Sequence, residues 1–377
     1  MLTSHKFLNH NMDILKYHIA LCPSCDLEAI ARTAQIGKNP RHTMWDITQL
    51  LGANVHQPAS EEVLPVDKML TKIVGTPENW GLARKLCLQL QEDDIIYCTS
   101  EHIGFPIAAL CAAKKKRPKI IVFVNNINRP RARLALKLFH LADRIDLFVT
   151  TTSAQAKFLH HNLHLNENRV YLLPSLPIDT SFFTPGLASA NKLRPVISSG
   201  GLEKRDYRTL ADATRDLNVD VKVCAFSPST NALRRSFPKV IPKNMSFRFY
   251  DWCELLQLYR DSDVVVLSLF KNNYQAGLTT LFEAMACRRP VIVTRSSGII
   301  SDLIDSDIVT GVNPCDPIGL KQAIQSLLNN SQKAEIQAQR GYELVHNQYN
   351  HSKYVQALVT KLISTFGHAK NLTFHIP

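Results

Sequence analysis

Long apolar runs are absent from this sequence. No stretch approaches the roughly 18 uninterrupted apolar residues that a membrane-spanning helix needs. The first ten residues carry no apolar core like that of a secretory signal, so we expect a cytoplasmic protein. Glycine is scarce, at 14 of 377 residues, and neither glycine nor the 19 prolines recur with a period. Collagen-like and low-complexity architectures are therefore excluded, and a hydrophobic content of 45% favours a folded chain.

Several catalytic motifs are also missing, and cysteine usage gives little support to a metal or redox site. There is no His-Glu-x-x-His zinc motif, no Gly-x-Ser-x-Gly elbow and no Walker phosphate loop. The nine cysteines are an odd number, and most lie in apolar runs, where cysteine behaves as a small hydrophobic residue. One close pair, Cys22-Pro-Ser-Cys25, lacks the second CxxC that zinc sites usually have. We therefore expect reduced, structural cysteines.

Positive charge is in excess and unevenly distributed. The chain has 44 Lys and Arg against 32 Asp and Glu, a net charge of +12. Much of this excess lies in the basic segment 114–137, whose second part predicts a helix with cations on one side and leucines on the other. Such a helix either lies on an anionic membrane or packs on the core with a solvated basic face. Nucleic acid is not expected as a partner, because no aromatic residues are interleaved with the cations.

Short apolar runs alternate with helical patterns along most of the chain. Continuous apolar runs are typical of strands buried on both faces of a parallel sheet. Their alternation with helices predicts right-handed crossovers and a doubly wound α/β sheet. The strand-like runs are 95–98, 120–124, 147–149, 195–198, 219–224, 264–267 and 290–293, and the helical patterns are 104–113, 131–141, 207–217, 254–260 and 279–287.

This alternation occurs twice, and a chain of this length should form about two domains. Three prolines in the thirteen residues 173–185 forbid a continuous helix there and favour a linker. We predict an N-terminal Rossmann-like domain over 1–175, a linker over 176–193, a C-terminal Rossmann-like domain over 194–350 and a helical tail over 351–377. The tail is expected to pack back toward the N-terminal domain. Ligands of such sheets bind beyond the carboxyl ends of the strands, which points to the cleft between the domains.

The most informative segment runs from Gln275 to Thr294. A strand ends shortly before it, and a helix is expected to begin near Leu278 or Thr279. The start of a helix presents free amides and a positive dipole end, which suit a phosphate, and Gly277 lets the backbone approach a ligand. Glu283 is an acceptor for sugar or ribose hydroxyls. The alternative is a capped helix with a solvated glutamate.

The run Leu281-Phe-Glu-Ala-Met-Ala-Cys287, followed by Arg289-Pro-Val-Ile-Val-Thr294, resembles the nucleotide-sugar signature of retaining glycosyltransferases of the GT-B fold, in the family 4 group. The resemblance implies that Glu283 holds the ribose and that the amides of Gly277 and Leu278, beside Thr279, face the donor. The first glutamate of this signature is replaced by Gln275. Gln275 can hydrogen-bond a sugar hydroxyl but carries no charge.

Further segments are similar to the same family. Ser198-Ser-Gly-Gly-Leu-Glu-Lys-Arg205 resembles its glycine loop, which places Gly200 and Gly201 at the donor and gives Lys204 and Arg205 the task of neutralising the leaving diphosphate. Fixed cations at this point stabilise the transition state. An exposed turn is the alternative for these residues. Trp252 lies where the family cradles the base, although a packing role is equally compatible with the sequence.

The first half is less distinctive. The family commonly has a histidine after the strand that corresponds to 120–124, where this chain has Asn125 and Asn126, and the usual Gly-Gly loop is missing. Glu101 and His102 fall in a predicted strand-to-helix loop, where catalytic groups tend to lie. Either one can orient the acceptor or act as a base. The alternative is a helix-capping glutamate and a solvated histidine.

The prediction is therefore a hexosyltransferase-type enzyme of carbohydrate or glycolipid biosynthesis. It moves a sugar from a nucleotide-sugar donor to an unidentified acceptor hydroxyl, with retention of configuration. Two Asp-Ser-Asp triplets, 261–263 and 305–307, precede strand-like runs, so we interpret them as turns and expect neither a metal nor a cofactor beyond the donor. Three alternatives stay open: an inactive GT-B relative that binds a nucleotide-sugar or a partner, a basic protein peripheral to membrane or nucleic acid, and a GT-B epimerase.

Overall fold

Two parallel β-sheets form the framework of this computed structural model, which describes residues 15–59, 62–111, 113–226, 232–272 and 276–368. The strands of the first sheet are β1 (Lys16–Ala20), β2 (Asn54–His56), β3 (Asp94–Cys98), β4 (Lys119–Phe123), β5 (Leu147–Thr150) and β6 (Val170–Leu172). Those of the second are β7 (Val196–Gly200), β8 (Asp220–Cys224), β9 (Met245–Arg248), β10 (Val264–Leu267), β11 (Val291–Thr294) and β12 (Thr310–Val312).

The strand orders are those of doubly wound sheets. The first sheet runs β2-β1-β3-β4-β5-β6 and the second β9-β8-β7-β10-β11-β12, with every neighbouring pair parallel. The second order is that of dinucleotide-binding folds, with its switch point between β7 and β10. The predicted fold class, two Rossmann-like domains with a helical C-terminal tail, is confirmed. The four predicted domain boundaries remain predictions.

Helices connect the strands and cover both faces of each sheet. Around the first sheet lie α1 (Leu27–Gln35), α2 (Thr43–Leu51), α3 (Pro65–Leu70), α4 (Pro77–Gln89), α5 (Glu101–Cys111), α6 (Pro130–Leu138), α7 (Leu141–Arg144) and α8 (Ser153–Leu163). The second half contributes α9 (Tyr207–Thr214), α10 (Trp252–Asp261), α11 (Leu278–Ala286), α12 (Ile299–Asp305), α13 (Pro317–Asn329), α14 (Ser331–Asn347) and α15 (His351–Phe366). None of the helices in these ranges is long and apolar enough to cross a bilayer.

Local signals account for several helix boundaries. Thr76 caps α4 by accepting from the amide of Asn79, and Pro77 follows at the first helical position, where its missing amide costs nothing. Asp251 and Glu254 form a reciprocal capping box at the start of α10. The helix predicted over 131–141 ends earlier, at Leu138, because His140 has a left-handed φ of 49° that no α-helix accommodates.

The last helix packs on the first sheet rather than on the second. Apolar residues of α15, among them Leu358 and Leu362, pack in one cluster with Tyr17 and Ile19 of β1. The His351 ring, 1% exposed, lies 2.5 Å from a carboxylate oxygen of Asp46 in α2. The chain therefore crosses back to the N-terminal half after completing the second sheet.

Candidate functional site

The switch point of the second sheet carries the predicted glycine loop. Gly200 is the last residue of β7, and the Gly201 amide donates to the carbonyl of Cys224 at 3.0 Å. Gly201 has a φ of +87°, a region that favours glycine, and a Cβ there would lie only 2.6 Å from Nη2 of Arg205. The backbone of this loop is thereby packed directly against the Arg205 guanidinium.

Arg205 is a buried cation. Its side chain, in a residue only 3% exposed, donates from Nε to the carbonyl of Gly200 at 2.5 Å, from Nη1 to the carbonyl of Glu203 at 2.9 Å and from Nη2 to the hydroxyl of Thr280 at 3.4 Å. All three acceptors are neutral, and within the described ranges no carboxylate forms an ion pair with Arg205. A buried charge without a countercharge is costly unless a ligand supplies one.

The loop that holds Lys204 is fixed to the segment after β10. The Asp206 amide donates to the carbonyl of Ser268 at 2.9 Å, and the Phe270 amide donates to the carbonyl of Lys204, also at 2.9 Å. Lys204 itself adopts a left-handed φ of 57°. Lys204 and Arg205 are thus part of a bridged structure at the carboxyl ends of β7 and β10, and the alternative of a simple exposed turn is wrong.

The start of α11 faces the same loop. Gly277 is the N-cap, with a φ of +83°, and Leu278 and Thr279 are the first helical residues. A Cβ on Gly277 would lie 3.1 Å from Nη1 of Arg205, so the helix start and the buried guanidinium are adjacent. Gln275 lies outside the described residues. The positive end of a helix next to an unneutralised cation is an arrangement that suits a phosphate.

Glu283 lies one turn further along α11 and is buried, with 6% exposure. The hydroxyl of Tyr259 in α10 donates to its Oε2 at 2.8 Å. Burial raises the pKa of Glu283 to about 7, although the Tyr259 hydrogen bond favours the ionised form. Because the side chain is buried, the alternative of a solvated glutamate is wrong. Tyr259 was not recognisable from the sequence, since nothing distinguishes it from other apolar-facing residues of α10.

Aromatic side chains border the site at the ends of β8 and β9. Trp252, the first residue of α10, is 46% exposed and meets the edge of Phe183 at 6.4 Å between ring centroids. Phe226 and Phe249 lie edge to face at 5.0 Å and are 49% and 58% exposed. The sequence does not predict this pair, because its two members are 23 positions apart and become neighbours only when β8 pairs with β9.

The predicted residues of the first domain lie at the carboxyl ends of β3 and β4. Glu101 and His102 form the first turn of α5 rather than a loop, because the helix begins three residues earlier than predicted. The Glu101 carboxylate, in a residue 7% exposed, accepts from the amide of Asn125 at 3.2 Å. His102 is exposed, and its carbonyl accepts from Nδ2 of Asn79. Glu101 therefore links the start of α5 to the loop after β4.

Several contacts connect the halves across this cleft. Arg129, after β4, reaches to 3.8 Å from Glu203 in the glycine loop. The linker residue Asp179 accepts from the guanidinium of Arg41 at 2.8 Å. On the donor side, Sγ of Cys253 lies 3.6 Å from the carbonyl oxygen of Lys38. The carboxyl ends of the two sheets thus face one another. The structure brings Gly200, Gly201, Lys204, Arg205, Gly277, Leu278 and Thr279 together, with Glu101 and His102 on the opposite domain.

Residues 194–330 match the family model described as glycosyl transferases group 1. This range contains the second sheet and all the donor-side residues described above. No curated protein sequence matches the chain at a significant level.

Solved structures with the same two-domain arrangement cover almost the whole chain. A glycosyltransferase from Rickettsia africae is 15% identical with a TM-score of 0.64, over 95% of this chain and 99% of that one. The sucrose-phosphate synthase of Thermosynechococcus elongatus is 14% identical with a TM-score of 0.66, over 94% and 96%. Anabaena Alr3699/HepE, solved in complex with UDP-glucose, is 14% identical with a TM-score of 0.63, over 93% and 100%.

The chain therefore has the two-domain fold of GT-B glycosyltransferases. Within this fold, residues 194–330 match the glycosyl transferases group 1 model. The predictions of the GT-B fold and of a glycosyltransferase enzyme are confirmed at this level. The family 4 assignment and the roles of individual residues remain predictions.

Proposed function

We propose that this protein transfers a sugar from a nucleotide-sugar donor to an acceptor hydroxyl, with retention of configuration and without a metal. The observation that carries this proposal is the buried guanidinium of Arg205 beside the start of α11, whose hydrogen-bond acceptors among the described residues are all neutral. A nucleoside diphosphate supplies the missing negative charge. Because the Anabaena relative was solved with UDP-glucose, we propose a uridine diphosphate sugar as the first donor to test.

The donor's diphosphate is proposed to lie between the glycine loop, Gly200 and Gly201, and the first amides of α11, at Leu278 and Thr279. Lys204 and Arg205 neutralise the charge that develops as the diphosphate leaves. These fixed cations and the helix dipole perform the task that a divalent cation performs in metal-dependent enzymes, which is why we propose that no metal is needed. We propose no cofactor other than the nucleotide-sugar itself.

We propose that Glu283 of α11 and the exposed aromatic side chains at the ends of β8 and β9 recognise the nucleoside. The Glu283 carboxylate accepts from the ribose hydroxyls, and its ionised form is the better acceptor. Trp252 is the predicted stacking partner of the base, with the exposed pair Phe226 and Phe249 as a second apolar surface at the same end of the sheet. Gln275 is proposed to hydrogen-bond a hydroxyl of the transferred sugar.

The acceptor is proposed to bind on the first domain. Glu101 is positioned by the amide of Asn125, so it can orient an acceptor hydroxyl, while the exposed His102 is the second candidate for this role or for that of a base. Approach of the two domains around both substrates excludes water from the reaction. A cytoplasmic location and a peripheral contact with a membrane remain predictions from the sequence.

Thermal unfolding against a panel of nucleoside diphosphates and nucleotide-sugars tests the proposal. A ligand at about a hundredfold over its Kd adds about 2.7 kcal/mol to the free energy of unfolding. We expect a shift of the midpoint with one base, lost in Lys204→Ala. The matched control is Lys333→Ala, which removes a cation of α14 whose Nζ donates to the hydroxyl of Ser326, far along the chain from the glycine loop. Absence of any shift across the panel, or equal shifts in both variants, would contradict the proposed donor site.

A further inference from the structure

Two leucines of helix α6 lie on the side of the helix that faces away from the core. Its inward face, Ala132, Ala135 and Leu136, is buried in the first-domain core. Leu134 and Leu138 point outward instead and are 51% and 53% exposed. A helix that merely packs on the core with a solvated basic face gains nothing from two half-exposed leucines, so core packing explains only the inward side.

The cations of the basic segment 114–137 fall into two groups. Three of those before β4 already have partners: Nζ of Lys114 donates to the carbonyls of Cys87 and Leu90, Lys116 pairs with Glu92 at 2.9 Å, and Arg117 pairs with Asp146 at 2.7 Å. The cations of α6 differ. Arg131, Arg133 and Lys137 are exposed, and no described residue offers their side chains an ion pair or a hydrogen bond. Unpaired positive charge therefore lies on α6, beside the outward leucines.

Helix α3 presents a second set of the same kind. Its Asp67, 1% exposed, forms an ion pair with Arg84 of α4, and this buried pair fixes which side of α3 faces outward. On that outward side Val66 and Met69 are 49% and 68% exposed. The exposed Lys68 lies between them in sequence, and Lys72 follows shortly after the helix ends.

Trp80 of α4 connects the ends of these two helices. Its indole nitrogen donates to the carbonyl of Val74, four residues after α3, at 3.0 Å. Its ring lies 5.7 Å from that of Phe139, the residue after α6. Val74, Trp80 and the partly buried Phe139 belong to one core cluster, so α3 and α6 cover the same face of the first sheet. We call their outward sides the α3/α6 face.

The α3/α6 face also adjoins the cleft. Arg129 is the N-cap of α6 and lies 3.8 Å from Glu203 of the donor-side glycine loop. The nine residues of α6 span about 13 Å at roughly 1.5 Å per residue. Leu138 is therefore about 13 Å along the helix from the mouth of the cleft.

We propose that the α3/α6 face docks this protein on an anionic lipid bilayer. Exposed leucine, methionine and valine side chains enter the boundary between headgroups and acyl chains, while Arg131, Arg133 and Lys137 pair with lipid phosphates. A nucleic acid has negative charge but no apolar layer to accept such side chains. Docking in this way brings the mouth of the cleft to the headgroup level, where an acceptor hydroxyl borne by a lipid is within reach. The proposal goes beyond sugar transfer and requires nothing from the donor site.

Co-sedimentation with vesicles tests the docking face. The full-length protein is mixed with vesicles of phosphatidylcholine alone and with vesicles that also contain phosphatidylglycerol. We expect binding only to the second kind. Each cation near an anionic surface contributes about fivefold to affinity, so Arg131→Gln/Arg133→Gln should weaken binding roughly thirtyfold. Leu134→Gln/Leu138→Gln should weaken it by at least about tenfold, because both side chains then resist burial.

Two matched controls separate this face from general surface properties. Leu187→Gln/Leu193→Gln removes two leucines that are 91% and 92% exposed in the linker, where the flanking Lys192 and Arg194 are already paired with Asp263 and Asp220. Lys239→Gln/Lys243→Gln removes two exposed lysines of the second domain that flank the exposed Val240 and Ile241. Both controls should bind anionic vesicles as the unaltered protein does. Melting midpoints and circular dichroism verify that each variant is folded.

The outcomes distinguish this inference from the proposed function. Lack of binding to anionic vesicles, binding that persists in the α6 variants, or loss in the Lys239/Lys243 control instead would overturn the docking face. Nucleotide-induced stabilisation is measured in the same samples, and it should be equal in the α6 variants and the unaltered protein. If stabilisation by nucleotides is present while vesicle binding is absent, only the docking inference fails. If vesicle binding is present without nucleotide stabilisation, only the donor proposal fails.

Discussion

Replacement of Glu283 by glutamine should make the protein more stable and, at the same time, a weaker binder of the donor. The carboxylate is buried, with the Tyr259 hydroxyl as its hydrogen-bond partner at 2.8 Å, and burial raises its pKa from its ordinary 4.5 to about 7. The folded protein therefore retains a proton that the unfolded chain releases between these two pH values. Stability falls as the pH rises through this window, because the folded state must then ionise a buried group.

The magnitude follows from the size of the pKa shift. Each unit of difference between folded and unfolded states corresponds to about 1.4 kcal/mol, so the full shift corresponds to about 3 kcal/mol. Glutamine has nearly the same shape, offers an oxygen to Tyr259 and carries no charge. We expect Glu283→Gln to gain about 3 kcal/mol at about pH 8 and at most about 1 kcal/mol at about pH 5. For a domain of this size the gain raises Tm by roughly 6–12 °C.

The assay is thermal unfolding of both proteins across this pH range, paired with titration of a nucleoside diphosphate. A hydrogen bond to a charged acceptor is worth about 1.5–3 kcal/mol, so loss of the carboxylate should weaken nucleotide binding roughly tenfold to a hundredfold. In the unaltered protein, nucleotide affinity should rise between about pH 6 and 8 as Glu283 ionises. Stability gained together with affinity lost is the expected signature of a residue retained for binding.

Tyr259→Phe is the matched control, because it removes the hydroxyl that favours the ionised carboxylate. Loss of this hydroxyl should raise the pKa of Glu283 further and lower the free energy of unfolding by about 1–3 kcal/mol at about pH 8. The reasoning is refuted if Glu283→Gln changes Tm equally at both pH values, or if it lowers stability at the higher pH. A stabilised variant that binds nucleotides unchanged would refute the assigned role in ribose binding.

Three further predictions concern backbone strain, a buried histidine and the last helix. In urea unfolding, Gly277→Ala should lower the free energy of unfolding by about 1–3 kcal/mol, because Gly277 has a φ of +83°. Gly200→Ala, whose Cβ would meet nothing closer than 3.6 Å, should cost far less, and equal losses would contradict the strain argument. Burial lowers the pKa of His56 to about 4, so its ring should titrate near this pH by NMR, and stability should fall as the pH drops from 6.5 to 4; a normal titration would contradict the partly buried environment. Asp46→Ala leaves the buried ring of His351 without its carboxylate partner, so it should lower the free energy of unfolding by about 1–3 kcal/mol and speed hydrogen exchange in α15. Unchanged exchange would show that the pair does not hold this helix.

The sheets were predictable from sequence because strands buried on both faces need continuous apolar runs. Val264–Leu267 and Ile120–Val124 contain almost no other kind of residue, and the strands found there match the runs closely. Short or partly polar strands gave no such signal. Asn54–His56 and Thr310–Val312 have three residues each at the sheet edges, where pairing with a single neighbour and not composition determines the strand.

At the site, the sequence indicated which residues lie at the carboxyl ends of the strands but not what they contact. The sequence predicts that Arg205 neutralises the leaving diphosphate, and in the structure Arg205 is also the buried link between the glycine loop and Thr280. The Tyr259 hydroxyl on Glu283 and the Arg129–Glu203 contact join residues far apart in sequence. Contacts of this kind depend on how elements pack, so no local pattern predicts them.

The proposal depends most on one point, that a nucleoside diphosphate neutralises the buried Arg205 guanidinium at the start of α11. Calorimetric titration of uridine, uridine monophosphate and uridine diphosphate into the unaltered protein tests it directly. We expect the affinity to increase with each phosphate, and the diphosphate should bind at least about tenfold tighter than the nucleoside. The reason is that charge-assisted hydrogen bonds to Arg205 and Lys204 form only with phosphate. Equal affinities for the three, or no binding by any nucleoside diphosphate, would contradict the account.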